Sequence, residues 1–414
     1  MIGDRIRTMT MAEATALPRW RQPIGLLVLM ALAMPIAFST WSALLNNFVI
    51  EVAQFDGADI GLLHTVREIP GLLAVGVIAL LLFIREQVLG LVALVLLGVA
   101  TALTAYFPTL GGILMITLLS SIGFHYYETV NQSLQLQWIE KKKAPQVLGW
   151  LLAVGSGGTL VAYGLIILTW RAYDLSFSTV YWAGGGFTAL VALAAFVLYP
   201  QFQSHTPQRR TMVLRRRYWL YYALQFMAGA RRQIFVVFAG FMMVERFGFD
   251  VQQIAGLFMA TLVLNMSIAP VLGRVVAVFG ERAALVFEYI GLAAVFLLYA
   301  GIYYFGWGVT LAIALYIVDH LFFSLALAIK TYFQKIADPA DIAPTAAVAF
   351  TINHIAAVFL PAALGLLWLV SPMAVFLLAA GMALASLALA TLIPRHPEPG
   401  RETTLTLPVP RPVE

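Results

Sequence analysis

The sequence predicts an all-α integral membrane protein with twelve transmembrane helices in two pseudo-symmetric six-helix bundles. Three observations predict it. The 414 residues are 61% hydrophobic and 11% charged, with a mean hydropathy of +0.88, whereas soluble domains carry about 25% charged residues. Apolar runs of spanning length alternate with short polar breaks along the whole chain. Positive charge collects in every second break, as it does in multi-pass proteins whose basic loops stay cytoplasmic.

The runs lie at 24–48, 59–83, 88–107, 111–138, 146–170, 177–199, 218–243, 252–275, 283–304, 307–331, 344–369 and 372–393. The first, from Ile24, is too long for a signal-peptide core and lacks an A-x-A exit, so it is predicted as a retained span. Very short turns, Phe305-Gly306 and Ser371, join spans nine to ten and eleven to twelve. Basic breaks hold Arg5, Arg7, Arg19 and Arg21 of the N-terminal segment, Arg85, Lys141-Lys142-Lys143, Arg209 to Arg217, Arg274 with Arg282, and Lys335. The opposite breaks hold Glu51, Asp56 and Asp59, then Arg171 with Asp174, then Glu245, Arg246 and Asp250. This alternation predicts a protein of the cell (inner or plasma) membrane with both termini in the cytoplasm.

The predicted order is a cytoplasmic N-terminal segment (1–23), a six-helix bundle (24–200), a basic linker (201–217), a second six-helix bundle (218–394) and a tail (395–414). The linker holds Pro207 with Arg209, Arg210, Arg215, Arg216 and Arg217, and such a stretch suits an anionic lipid surface. The tail carries Pro397, Pro399, Pro408, Pro410 and Pro412 and is expected to be disordered or extended. The halves echo one another. Phe55-Asp56 with Ile60 recurs as Phe249-Asp250 with Ile254 at an offset of 194, and His125 recurs as His320 at 195.

Several function classes drop out. There is no cysteine, which removes disulfides, thiolate metal sites and cysteine nucleophiles. The net charge of +5 sits in short loops and does not point to nucleic acid. No H-E-x-x-H, P-loop, G-x-S-x-G or metal-spaced cluster occurs, so no enzyme activity, cofactor or metal is expected.

What remains are ions inside the spans. Arg231 and Arg232 stand in the apolar run from Tyr218 to Met243, and at ~1.5 Å per residue Arg231 lies roughly 20 Å in, near the bilayer centre. A charge there persists only against a partner or a wet cavity. Other deep ionisable residues are Arg67 and Glu68 in span two, His125 and Glu128 in span four, Asp319 and His320 in span ten and His354 in span eleven. Glu288 in span nine reads as lying near the cytoplasmic end. In span four, His125, Glu128, Gln132 and Gln135 recur along one helix face, bordered by Tyr127 and Asn131. Interhelical hydrogen bonding explains such a stripe. A wet cavity wall explains it better, because so many amides beside a glutamate exceed what packing requires.

Taken together, twelve spans, cytoplasmic termini, a basic central loop and six-plus-six repetition resemble the major facilitator superfamily. The local sequence Gly273-Arg274-Val-Val-Ala277-Val-Phe-Gly280-Glu281-Arg282 resembles that family's loop signature between helices eight and nine, with Ala277 where an aspartate is usual. The corresponding loop of the first half, around Arg85-Glu86-Gln87, lacks the glycines. The resemblance implies a transporter whose halves enclose a central cavity, with helices 1, 4, 7 and 10 lining it and helices 3, 6, 9 and 12 facing outward.

On this reading the chain is expected to be a secondary active transporter, proton-coupled, for a small polar and anionic solute, working as a monomer in the lipid bilayer. Arg231, Arg232, Arg67, His125, Tyr127, Asn131, Gln132 and Gln135 are the candidate solute ligands. Guanidinium suits carboxylate, phosphate or sulfate. Glu128, Asp319, His320 and His354 are the candidate proton carriers. Glu68, Gly273, Gly280 and Arg282 are candidate gating residues. Three alternatives stay open. Full pairing of Arg67, Arg231 and Arg232 with Glu68, Glu128 and Asp319 would make the arginines helix locks. A proton-driven drug or cation efflux antiporter would use Glu128 or Asp319 without an anion ligand, and a non-transporting membrane scaffold would have the central polar residues packed solid.

Overall fold

The computed structural model describes residues 8–73, 76–81, 83–140, 143–202, 214–338 and 341–405. The basic residues Arg5, Arg7, Lys141, Lys142, Arg209 and Arg210, together with Pro207, Pro408, Pro410 and Pro412, lie outside the described residues.

The chain begins with a two-residue strand β1 (Thr8–Met9) and a single capped turn α1 (Met11–Ala14). The spans follow as α2 (Pro23–Glu51), α3 (Gly57–Leu72) with α4 (Gly76–Leu80), α5 (Glu86–Leu103), α6 (Leu110–Trp138), α7 (Ala144–Thr169) and α8 (Phe177–Leu198). Strand β2 (Gln201–Phe202) pairs in parallel with β1. The second half runs α9 (Trp219–Gln233), a π-helical turn (Ile234–Ala239), α10 (Gly240–Glu245), α11 (Val251–Phe279), α12 (Glu281–Phe305), α13 (Val309–Phe323), α14 (Leu327–Ile336), α15 (Ile342–Val370) and α16 (Pro372–Thr391).

Among the described residues, eleven helices are long and apolar enough to cross a membrane. The remaining predicted span, the second, is divided into α3 and α4 just after Pro70-Gly71. Proline removes a backbone donor and glycine costs helix propensity, so a break there follows from the sequence. The twelve-helix reading therefore stands. The outer surface is apolar: Val161, Leu165 and Leu168 of α7 and Leu190, Leu193 and Val197 of α8 are each at least half exposed. Such a continuous stripe suits lipid rather than water.

The described chain divides into two compact units. Unit 1 is Met1–Phe55, Val66–Arg209 and Phe249–Met259. Its core holds Leu26, Leu27, Met30, Leu94, Leu97 and Val130. The α5 and α8 backbones touch through glycines: a Cβ on Gly185 would lie 2.3 Å from the Ala102 nitrogen, and one on Gly98 would lie 2.5 Å from that of Ala189. Small residues allow this approach, which replaces the hydrophobic drive that lipid does not supply. The first residues of α11 belong here too. Asn47 donates to the Phe249 carbonyl at 2.7 Å, Arg171 pairs with Asp250, and Gln252 donates to the Ile167 carbonyl at 2.8 Å.

Unit 2 is Asp56–Thr65, Arg210–Gly248 and Ala260–Glu414. In it α9 packs on α15 and α16, while α12 packs on α13 and α16. The start of α3 joins through Thr65, whose hydroxyl donates to the Val358 carbonyl at 2.8 Å. The described end of the basic linker is anchored. Arg215 and Arg217 pair with Asp341 and Asp338, and the Tyr218 hydroxyl donates to Asp341 at 3.0 Å. The Arg215 donors hold the Asp341 carboxyl below the usual carboxylate range.

Two expectations are corrected here. The tail was expected to be disordered or extended without packing, yet its described part packs within unit 2: Glu402 and Thr403 are buried, the Tyr332 hydroxyl donates to the Glu402 carbonyl at 2.6 Å, and Thr404 N donates to the Leu392 carbonyl at 2.8 Å. Proline excludes regular structure but not packing through the backbone carbonyls between prolines. Gly273 and Gly280 were both read as part of a loop between helices eight and nine. Gly273 instead sits inside α11 with open space around its Cα, and only Gly280, at φ +82° between α11 and α12, needs to be glycine.

Candidate functional site

In unit 1 the ionisable residues of α3 and α6 form one chain of contacts. Arg67 grips its neighbour Glu68 through Nη2 at 2.5 Å and Nε at 3.1 Å, and its guanidinium lies 5.7 Å over the Trp41 ring of α2. The Ser121 hydroxyl of α6 donates to the Arg67 carbonyl and lies 3.0 Å from His125 Nδ1. His125 is buried, with Phe124 edge-on at 5.0 Å. Pro70 sits two residues beyond Glu68, so the ion pair marks the stretch where span two is about to break. The Arg67 side chain keeps 16% exposure, the Glu68 side chain 4%.

Farther along α6 the stripe grades outward. Glu128, Asn131 and Gln135 are half-buried and Gln132 is exposed. Its C-terminal end is held by Glu86 of α5, which accepts from Ser133 at 2.9 Å and from Gln137 at 2.7 Å. Tyr127 does not join the stripe. It is buried, and its hydroxyl donates to the Met30 carbonyl of α2 at 3.0 Å. The expectation that Tyr127 borders a wet face is corrected: it points about 100° away from Glu128 on the helix, into the unit 1 core.

In unit 2 the centre is Arg231. Its side chain is 1% exposed, Nη1 lies 3.5 Å from Glu288 Oε1 of α12, and the guanidinium sits 4.4 Å over the Tyr289 ring. Asp319 of α13, also buried, interacts electrostatically with both Arg231 and Glu288. Glu288 was expected near the cytoplasmic end, outside the central set. Glu288 does lie toward the N-terminal end of α12; what the sequence did not show is that it is fully buried there and faces Arg231. Arg232, the next residue, is half-buried on a different face. The π-helical turn begins just after Gln233, and such turns recur at functional sites because they re-aim neighbouring side chains.

The histidines bond locally. His320 and His354 each place Nδ1 on the carbonyl four residues before, Tyr316 at 3.1 Å and Phe350 at 2.9 Å. Phe235 stands edge-on to His320 at 4.5 Å. Asparagines tie helices together: Asn353 donates to the Gln225 carbonyl at 3.1 Å, and Asn265 accepts from Ser324 at 3.2 Å. At the 8/9 loop Arg282 is half-buried, while Glu281 holds Lys335 at 2.7 Å.

Three comparisons bear on identity. The profile of the Major Facilitator Superfamily matches residues 24–361. No curated protein sequence matches. Among solved structures, nucleoside transporter NupG in a mutant form is similar at TM-score 0.74 and 14% identity, over 89% of this chain and 99% of that one. A bacterial homologue of the human lysosomal transporter Spinster is similar at 0.66 and 12%, over 89% and 93%. A POT family transporter in complex with a conjugated peptide is similar at 0.65 and 12%, over 88% and 94%.

Proposed function

Because the chain belongs to the Major Facilitator Superfamily, a family of multi-pass membrane transporters, we propose that it is a proton-coupled secondary transporter of a small polar solute. Transport would proceed by alternating access, in the cell (inner or plasma) membrane, with both termini cytoplasmic and the monomer as the working unit. The observation that carries the proposal is the concentration of buried acids inside the spans: Glu68, Glu288 and Asp319 all lie at 3% exposure or less. Hydrocarbon tolerates such groups only when they serve ion traffic or hold an essential partner.

Asn131, Gln132 and Gln135, which line α6 with amide donors and acceptors, are proposed to hydrogen-bond the solute, with His125 at the deep end of the same stripe. Glu128 and Asp319 are proposed to carry the proton, with His320 and His354 beside the path. Glu68, Gly280 and Arg282 are proposed to take part in gating, with Gly273 as a point of low helix stability.

An anionic solute is the second reading, and Arg67 is the residue that favours it. Its guanidinium keeps 16% exposure, against 1% for Arg231, and it faces a carboxylate that a solute anion could replace. Arg232 is the second cation proposed for that role.

The test is uptake into proteoliposomes of a panel of nucleosides, sugars, amino acids and small carboxylates, with a pH dye inside. A solute that drives dye acidification and whose accumulation follows an imposed pH gradient supports the proposal. Uptake indifferent to the gradient overturns proton coupling.

A further inference from the structure

At the start of unit 1 the chain leaves an open cleft of about 660 Å³ beside the first span. Its floor is one flank of α2, formed by Ile24, Val28 and Leu29. Its rim is Arg19 and Trp20, which precede the span, and Tyr199, which follows α8. The rim exists because Arg19–Arg21 make a single 3₁₀ turn that folds back over α2. Gly25 permits that return: a Cβ there would lie 2.3 Å from the Trp20 carbonyl oxygen. The same carbonyl accepts from the Tyr199 hydroxyl, and the two rings meet edge-on at 6.3 Å. The rim is thus fixed before anything binds.

The charge at this rim is not neutralised. Arg19 is exposed, and among the described residues it has no carboxylate partner. Arg21 donates through Nε to the Leu198 carbonyl at 2.9 Å and stands 5.7 Å over the Trp20 ring, both uncharged partners. Trp20 is 56% exposed. Because α2 begins at Pro23 and is long and apolar enough to cross a membrane, the cleft straddles the boundary. Two arginines and an exposed tryptophan lie at headgroup level, where such side chains anchor. From Ile24 to Leu29 the wall runs about 7.5 Å toward the hydrocarbon, at ~1.5 Å per residue. A water-soluble anion would gain nothing from the aliphatic wall, and an uncharged lipid would gain nothing from the arginines. A molecule with an anionic head and an apolar chain gains from both.

We propose that this cleft binds one anionic phospholipid from the leaflet on the N-terminal side. Arg19, with Arg21 beside it, holds the phosphate, and an acyl chain lies along Ile24, Val28 and Leu29. The volume falls within the ~300–1,000 Å³ of ordinary ligand sites. Seated there, the lipid joins the N-terminal segment to the end of α8. The segment is already tied to that region by the β1–β2 pairing and by Arg85, which donates to the Thr8 hydroxyl at 2.9 Å. The site goes beyond the transport reading and requires only that α2 crosses the bilayer.

The test uses the full chain in phosphatidylcholine nanodiscs doped with phosphatidylglycerol that carries a diazirine in its acyl chain. After illumination, the labelled positions are mapped by peptide mass spectrometry. Labelling is expected to concentrate on Ile24, Val28 and Leu29 relative to the exposed α8 residues Leu190, Leu193 and Val197. Unlabelled phosphatidylglycerol is expected to compete it away, and phosphatidylcholine is not. Arg19→Gln is expected to lower it about fivefold, the effect of one cation at an anionic surface, and Arg19→Lys to retain most of it. Val28→Trp, which fills the cleft, is expected to remove labelling there and leave that of α8 unchanged. Even labelling of α2 and α8 would show bulk lipid contact alone and overturn the site. Equal competition by phosphatidylcholine, displacement by inorganic phosphate, or labelling unchanged in Arg19→Gln would overturn it as well.

Discussion

Arg231 Nη1 lies 3.5 Å from Glu288 Oε1, and the same guanidinium covers the Tyr289 ring at 4.4 Å. Two neighbours on α12 thus satisfy one charge from two sides, by ion pairing and by cation–π attraction.

The pair is expected to be worth more to lose than to have. Glu288→Ala leaves the Arg231 charge buried without its nearest partner, a loss of about 3–5 kcal/mol. The double variant Arg231→Met with Glu288→Leu removes both charges and is expected to regain most of that stability. Thermal unfolding in detergent measures both. Equal destabilisation by the single and double variants would contradict the pairing.

Glycine contacts make a sharper packing prediction. Gly185→Ala would push a Cβ to 2.3 Å from a backbone nitrogen of α5, with an expected cost of about 1–3 kcal/mol. Gly273→Ala meets open space inside a helix, so it is expected to be neutral or to stabilise by about 0.5–1 kcal/mol. A melting-temperature difference of the same sign for both would contradict the assigned geometry.

Much of this was legible in the sequence, and the reasons differ by residue. Span positions follow from hydropathy alone, because lipid imposes length and satisfaction of every backbone polar group. Pro70-Gly71 accounts for the end of α3 at Leu72. Glu288 was not legible. Counting rise per residue places it shallower than Arg231, but an arginine side chain is long and leans toward the N-terminal end of its own helix, which closes the difference. Tyr127 misled for a related reason: adjacency to Glu128 in sequence puts it on another face. Asp338 and Asp341 were passed over because loop acids look solvated, and only the fold reveals Arg215 and Arg217 beside them.

That linker anchor gives a pH prediction. The folded-state Asp341 carboxyl binds its proton less readily than an ordinary aspartate, because Arg215 donates to it. Its contribution is therefore present above the unfolded pKa of ~3.9 and is lost as pH falls below it. Hydrogen exchange at residues 214–218 is expected to be steady from neutral pH down to about 5 once corrected for intrinsic rates, and to rise below about 4. Asp341→Asn should show the fast exchange at every pH. Protection that persists in that variant would place the anchor elsewhere.

Tyr127→Phe separates core from site. It removes the hydrogen bond to Met30, with an expected cost of about 0.5–1.5 kcal/mol in stability and no change in solute affinity. Gln132→Ala, at an exposed position of the same helix, is expected to do the reverse. Affinity read by solute-induced thermal stabilisation distinguishes them, and a loss of affinity in Tyr127→Phe would return that residue to the site.

The most direct measurement is gradient-driven accumulation in proteoliposomes of the panel solute that most stabilises the protein. The account predicts that accumulation rises with an imposed pH gradient, collapses with a protonophore, and is lost in Asp319→Asn. Accumulation of equal size with and without the gradient would contradict it.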